Sequence, residues 1–99
     1  GILHALAHIT GGGLTDNIPR VLPEGLSARI DLDAIEVPPI FRYLMEQGRV
    51  AEPEMLRTFN VGVGMVVIVD PENVSALPRA RVIGEVVASD EGVIYEGSL

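Results

Sequence analysis

The chain has 99 residues and a formal net charge of −7, and its seven basic residues are scattered singly, so it forms one domain without the basic stripe that nucleic-acid binding requires. All seven are arginine, which excludes a P-loop lysine, a Schiff base and an amine nucleophile, and the lack of cysteine excludes disulfides, thiolate catalysis and thiolate metal sites, a composition that fits the cytoplasm. The longest apolar run, Val61 to Val69, is interrupted by Gly62 and Gly64 and falls far short of the roughly 20 residues that a membrane-spanning helix needs.

From Ile2 to Thr10 the residues alternate, with Leu3, Ala5, Ala7 and Ile9 on one face and His4, Leu6, His8 and Thr10 on the other, which predicts a strand. Gly11, Gly12 and Gly13 follow as a sharp turn without side chains. The next segment reads as a helix capped by Thr15 or Asn17, with Pro19 in its first turn, ended by Leu22-Pro23-Glu24-Gly25. Leu26 to Asp31 predicts a short strand with Ala28 and Ile30 inward and Ser27, Arg29 and Asp31 outward. Pro38 and Pro39 open a helix whose Ile40, Phe41, Leu44 and Met45 share an apolar face, and Gly48 stops it. Glu52-Pro53-Glu54 opens another, with Met55, Leu56 and Phe59 as its stripe.

The β-branched run Val61 to Val69 predicts a central strand buried on both faces. Asp70-Pro71-Glu72 starts a helix of only two turns before Pro78, and Arg81 to Ala88 and Val93 to Glu96 read as strands joined in a hairpin through Ser89 to Gly92. The order β-α-β-α-α-β-α-β-β predicts a mixed sheet covered by helices, an α/β or α+β domain. Apolar residues make up 47% of so small a chain, which leaves some of them outside the core, and the first residue is Gly1 and not Met, which reads as either a cleavage scar or a cut inside a longer gene; the expectation is a piece of a longer protein.

Two stretches carry the chemistry. In the first, a strand, a glycine turn and a helix start form an anion site in principle, although Gly11 to Gly13 matches neither the dinucleotide nor the P-loop pattern and serves equally as an ordinary tight turn. His8 and Thr10 share a face before the turn, where an imidazole can relay a proton, or can simply bond a carbonyl. Arg20 and Arg57 each offer a bidentate grip on phosphate or carboxylate, Asn17 and Asn60 serve as caps or ligands, and Gly62 and Gly64 mark a close approach along the presumed central strand. Two histidines without clustered carboxylates make no metal site.

The stretches LHALAHITGGGLTDNIPRVLP and EMLRTFNVGVGMVV, with VIGEVV after them, closely resemble signatures in the C-terminal domain of the phosphoribosylformylglycinamidine cyclo-ligase (aminoimidazole ribonucleotide synthetase) family, over almost the whole chain. The resemblance implies a three-layer α/β/α sandwich and a part in purine biosynthesis, where ATP activates the formyl amide oxygen of formylglycinamidine ribonucleotide and a substrate nitrogen closes the imidazole ring. It also implies ATP and Mg2+ bound chiefly by an N-terminal domain that forms a homodimer, with the active site between the two domains. Carried over by position, His8, Thr10, Gly11, Gly12 and Gly13 line the cleft, and Asn17 and Arg20 stand at its helix. Arg57, Thr58, Asn60, Gly62 and Gly64 come from the second signature.

The connection from Pro71 to Leu77 is shorter than the family's helix there, so a flank of the sheet is expected to be under-covered. The expectation is a C-terminal domain of the cyclo-ligase, inert alone. Related members that make selenophosphate, thiamine phosphate or formylglycinamidine are the alternative, against which RTFN-x-GVGM argues, and a non-catalytic phosphate-binding or assembly module is another.

Overall fold

The computed structural model describes residues 3–99, Leu3 by its backbone only, and Ile2, where the first strand was expected to begin, lies outside them. The chain is mixed α/β, with two sheets and several helices. Strand β1 (Leu3–His8) buries Ala7 and sends His4, Leu6 and His8 to solvent, with Ile9 buried just beyond it, so the alternation read from the sequence holds. It pairs antiparallel with β3 (Met65–Val69), His8 opposite Met65 and Leu6 opposite Val67. These two strands form a sheet of their own.

The second sheet has the order β4-β2-β5, with β2 (Leu26–Asp31) antiparallel to β4 (Gly84–Ala88) and parallel to β5 (Val93–Glu96). The expected β4–β5 hairpin is therefore not formed: β2 lies between them, and Ser89 to Gly92 crosses over its end. The reason is Ser27, expected outward but fully buried at 0% exposure. Its hydroxyl donates to the Ser89 carbonyl at 2.9 Å and accepts from the Gly92 N–H at 2.9 Å. One side chain thus satisfies two backbone groups of the crossing and holds it against β2. On the outer face Arg29 of β2 bridges Glu85 of β4 and, at 3.3 Å, Glu96 of β5.

Three α-helices pack with these sheets. α1 (Gly13–Asn17) has five residues and passes into a 3-10 turn (Pro19–Val21) in place of the longer helix expected, because Pro19 has no N–H with which to continue the ladder. α2 (Pro39–Gln47) lays Phe41, Leu44 and Met45 on the core but leaves Ile40, predicted inward, exposed. α3 (Glu52–Thr58) buries Met55 and Leu56, and Phe59 meets Phe41 with ring centroids 5.8 Å apart. Ile18, Ala28, Ile30, Ile35 and Leu32 complete the interior between the elements.

β3 is not the central strand that its composition predicts. It has one strand neighbour, and its side chains are half-buried or exposed. The chain between β3 and β4 forms only a 3-10 turn (Pro71–Ala76), too short to cover the space beside β3. A groove of about 490 Å³ remains between Met65–Val69 on one side and Arg79–Val86 on the other, with Ile18, Ala28 and Ile30 at its floor.

Ser27→Ala leaves the Ser89 carbonyl and the Gly92 N–H without their partner in a buried place, at a cost of about 1–3 kcal/mol. Urea denaturation is expected to show a lower midpoint at unchanged slope; an unchanged midpoint would mean that the crossing does not depend on this hydroxyl.

Candidate functional site

The glycine turn is built around Asn17. Gly12 is left-handed at φ 99° and ψ −13°, Gly13 has φ 60°, and the turn closes with the Gly13 N–H donating to the Thr10 carbonyl at 3.0 Å. Asn17 is buried, and its amide nitrogen donates to the carbonyls of Gly13 at 2.8 Å and of Thr10 and Gly11 at 3.3 Å. Its Oδ1 accepts from the Thr10 hydroxyl and from Arg20 Nη1, each at 3.4 Å. The carbonyls of the turn are thereby drawn inward, and among the described residues no acceptor meets the N–H groups of Gly11 and Gly12. Asn17 thus organises the turn from within, its polar atoms occupied, rather than standing open at the helix. Thr15, expected as a cap, does not cap α1; Gly12 holds the cap position, where no side chain serves.

Gly13 joins the two signatures. A Cβ there would overlap the carbonyl oxygen of Leu56 and lie 2.6 Å from that of Phe59, so only glycine lets α1 approach the end of α3 this closely. Thr15 strengthens the junction by donating from Oγ1 to the Leu56 carbonyl at 3.3 Å and bonding the Tyr95 hydroxyl at 2.8 Å. The Ile9 N–H, one residue past His8, donates to the Gly64 carbonyl at 2.9 Å. Backbone from the first signature therefore meets the second at both ends of the glycine turn.

The second signature is a turn, not a strand face. The Val63 N–H donates to the Asn60 carbonyl at 2.8 Å and the Gly62 N–H to Asn60 Oδ1 at 2.9 Å, with Val61 at φ 47° and Gly62 at φ 95° between them. Positive φ at both central positions is the pattern of a type I′ turn, in which a β-branched residue is strained. Val61 nevertheless adopts it with its side chain fully buried, at 0% exposure. Gly62 lies against the Pro38 ring, where a Cβ would come within 2.5 Å of Cδ, while Gly64 faces open space. Both precede β3, contrary to their expected place on the strand.

Of the predicted site residues, His8, Thr10, Gly11, Arg20, Arg57 and Thr58 are exposed, Gly12 and Asn60 half-buried, and Gly13 and Asn17 buried. Only Gly62 and Gly64 border the apolar groove, which is thus a separate feature. Two participants escape sequence reading. Val61 sits in an apolar run that hides its backbone conformation. Tyr95 on β5 carries one legible signal, a phenol on a strand that needs a partner when covered. Burial raises the Tyr95 pKa above its ordinary 10.0; the negative charge of Asp16 adds to the rise, while the bond to Thr15 and the positive charge of Arg57 oppose it. Among the described residues no group of three metal-ligating side chains converges.

Taken together, the turn offers outward N–H donors, an imidazole on the preceding strand and Arg20 tied to Asn17, a donor set for an oxyanion. The family model described as AIR synthase related protein, C-terminal domain, matches residues 1–96.

Gly13→Ala is expected to lose more than about 2 kcal/mol of stability, from the left-handed φ and the overlap with the Leu56 carbonyl. Gly11→Ala, with open space and an ordinary φ, stays within about 0.5 kcal/mol; equal losses on chemical denaturation would show that the junction does not depend on Gly13. Tyr95 gives a pH signature. Its folded-state pKa is raised, so its contribution is fully present below the unfolded value of 10.0 and is lost as pH rises through the folded value. The urea midpoint above pH 10 should fall more steeply in the parent chain than in Tyr95→Phe, and parallel curves would contradict this.

Proposed function

The chain belongs to the AIR synthase related protein family as its C-terminal domain, and on that footing we propose that it is part of the ATP-dependent cyclo-ligase that closes the imidazole ring of formylglycinamidine ribonucleotide. Members of this superfamily use ATP. The observation that carries the finer reading is the junction at Gly13, where the glycine turn of one signature abuts the Leu56 and Phe59 carbonyls of the other. Two stretches some 40 residues apart in sequence then form one wall.

In this reading the outward N–H groups of Gly11 and Gly12 receive phosphate oxygens, either of the substrate or of the group in transfer. The donors are the peptide groups themselves; a helix of five residues has too few aligned peptides for its dipole to dominate. Arg20 is held by its bond to Asn17, and Arg57 and Thr58 project from the end of α3, so they supply charge and a hydroxyl at the rim. His8, exposed on the strand leading into the turn, moves the proton released as the substrate nitrogen closes the ring. Asn60 and Gly62 shape the neighbouring turn, and Gly64 anchors β1 through Ile9.

ATP supplies the activating phosphoryl group. The residues described here fit the phosphate end of such a ligand better than its Mg2+, since they bring peptide N–H groups and guanidinium groups but no convergent carboxylates. The nucleotide and metal then belong to an N-terminal domain, which also forms the homodimer of the full-length, cytoplasmic enzyme. The 99-residue chain alone is then inert.

In the full-length enzyme His8→Ala is expected to lower kcat by about 10²- to 10⁴-fold, the range for a positioned proton carrier; undiminished turnover would remove His8 from the reaction. With the isolated chain, titration of inorganic phosphate should shift the amide resonances of Gly11 and Gly12. A titration that leaves them still would dispose of the anion site.

A further inference from the structure

The pairing of β1 with β3 sets His8 directly opposite Met65. The Ile9 N–H donates to the Gly64 carbonyl at 2.9 Å, a bond from the residue after His8 to the residue before Met65. That pattern makes His8 and Met65 a non-hydrogen-bonded pair, the closer of the two kinds in an antiparallel ladder, with Cβ atoms about 4.5–5.5 Å apart on one face. The face is the outer one: His4, Leu6 and His8 are exposed along β1, and Met65 is 55% exposed.

The sulfur atoms of the chain differ sharply in access. It has three methionines and no cysteine. Met55 is fully buried at 0% exposure, and Met45 is half-buried against the core. With no thiol to intercept a two-electron oxidant, the Met65 thioether is the sulfur that a peroxide reaches most readily. Its lone pair attacks one peroxide oxygen, the O–O bond breaks and an S–O bond forms. The sulfur is oxidised by two electrons to the sulfoxide, and the other peroxide oxygen leaves as water with the proton of the transferred hydroxyl. A weak acceptor thereby becomes a polar one, on a side chain with three rotatable bonds. The neighbouring imidazole has an N–H to give it: among the described residues His8 has no hydrogen-bond partner, whereas the His4 ring is taken by Asp70 at 2.9 Å.

We propose that Met65 is a methionine-oxidation site coupled to His8, in which the sulfoxide oxygen accepts a hydrogen bond from the His8 ring and holds it against β3. A ring held there is withdrawn from the glycine turn that follows β1. The effect on turnover rests on the role given to His8 above; the site itself rests on the strand register and on the exposure of the two side chains.

Treatment of the 99-residue chain with hydrogen peroxide tests it, with a dispersed amide spectrum showing that the fold persists. Peptide mapping by mass should find the added oxygen on Met65 ahead of Met45, with Met55 last. As Met65 is converted, the His8 ring resonances should shift, and in a basic buffer its two ring nitrogens should settle into one tautomer. The His4 ring, about 13 Å away along the strand, should stay as it was. The two methionine sulfoxide reductases, one for each sulfoxide epimer, should restore the starting spectrum. In Met65→Leu the same treatment should leave His8 unmoved. Oxygen on Met45 before Met65, a sulfoxide at Met65 that leaves the His8 tautomers unchanged, a chain that unfolds on oxidation, or a His8 response that persists in Met65→Leu each overturns the proposal. None of these readouts involves phosphate or turnover, so their failure is distinct from failure of the anion site.

Discussion

Between the start of α1 and the end of α3 there is room for a hydrogen atom at Gly13 and nothing larger. Two backbones meet there, carbonyl oxygens of Leu56 and Phe59 against the Cα of Gly13, and the surrounding order follows from that approach. It brings Thr15 within reach of the Leu56 carbonyl and of Tyr95 on β5, so that helix, helix and sheet share one hydrogen-bonded point. It also sets the position from which Asn17 reaches back to the carbonyls of Thr10, Gly11 and Gly13. A buried amide that finds carbonyls on every side is well satisfied, and a turn whose carbonyls are taken from inside can only show its N–H groups to the outside. The chemistry proposed for the turn thus rests on a packing constraint some residues away from the donors themselves.

A similar economy governs the second sheet. β4 and β5 are separated in sequence by a loop that would ordinarily close a hairpin, yet they flank β2 on either side. Crossing the end of a strand strands backbone groups over a buried region, and Ser27 resolves this with one hydroxyl that both donates and accepts. Arg29, two residues on and on the same face of the strand, then ties β4 and β5 to β2 through Glu85 and Glu96. Both side chains of this single strand do what neither flanking strand can do alone.

What was legible in the sequence, and what was not, divides along the range of the interaction involved. The alternation in β1, the inward Ala28 and Ile30 of β2 and the buried Met55 and Leu56 of α3 follow from local periodicity. The run Val61 to Val69 misled, because a strand's composition reports its liking for apolar neighbours but not whether the chain provides them; here the connection after Asp70 is too short to do so. Ser27 read as a surface residue since its partners lie more than 60 residues away. The residue types of the two signatures were visible at once, but the inward role of Asn17 was not, for the same amide serves as cap, ligand or clamp according to which carbonyls surround it.

Val61 ties the shape of the second signature to the rest of the fold. A left-handed backbone at a β-branched residue costs about 1–3 kcal/mol, and burying its side chain returns a comparable amount only once the surrounding core exists. In a loose or partly collapsed chain the segment from Asn60 to Val63 therefore prefers some other path. The left-handed form of the turn is therefore stable only with the core that holds Val61 in place, and the second signature depends for its shape on that core and is not a free-standing local turn.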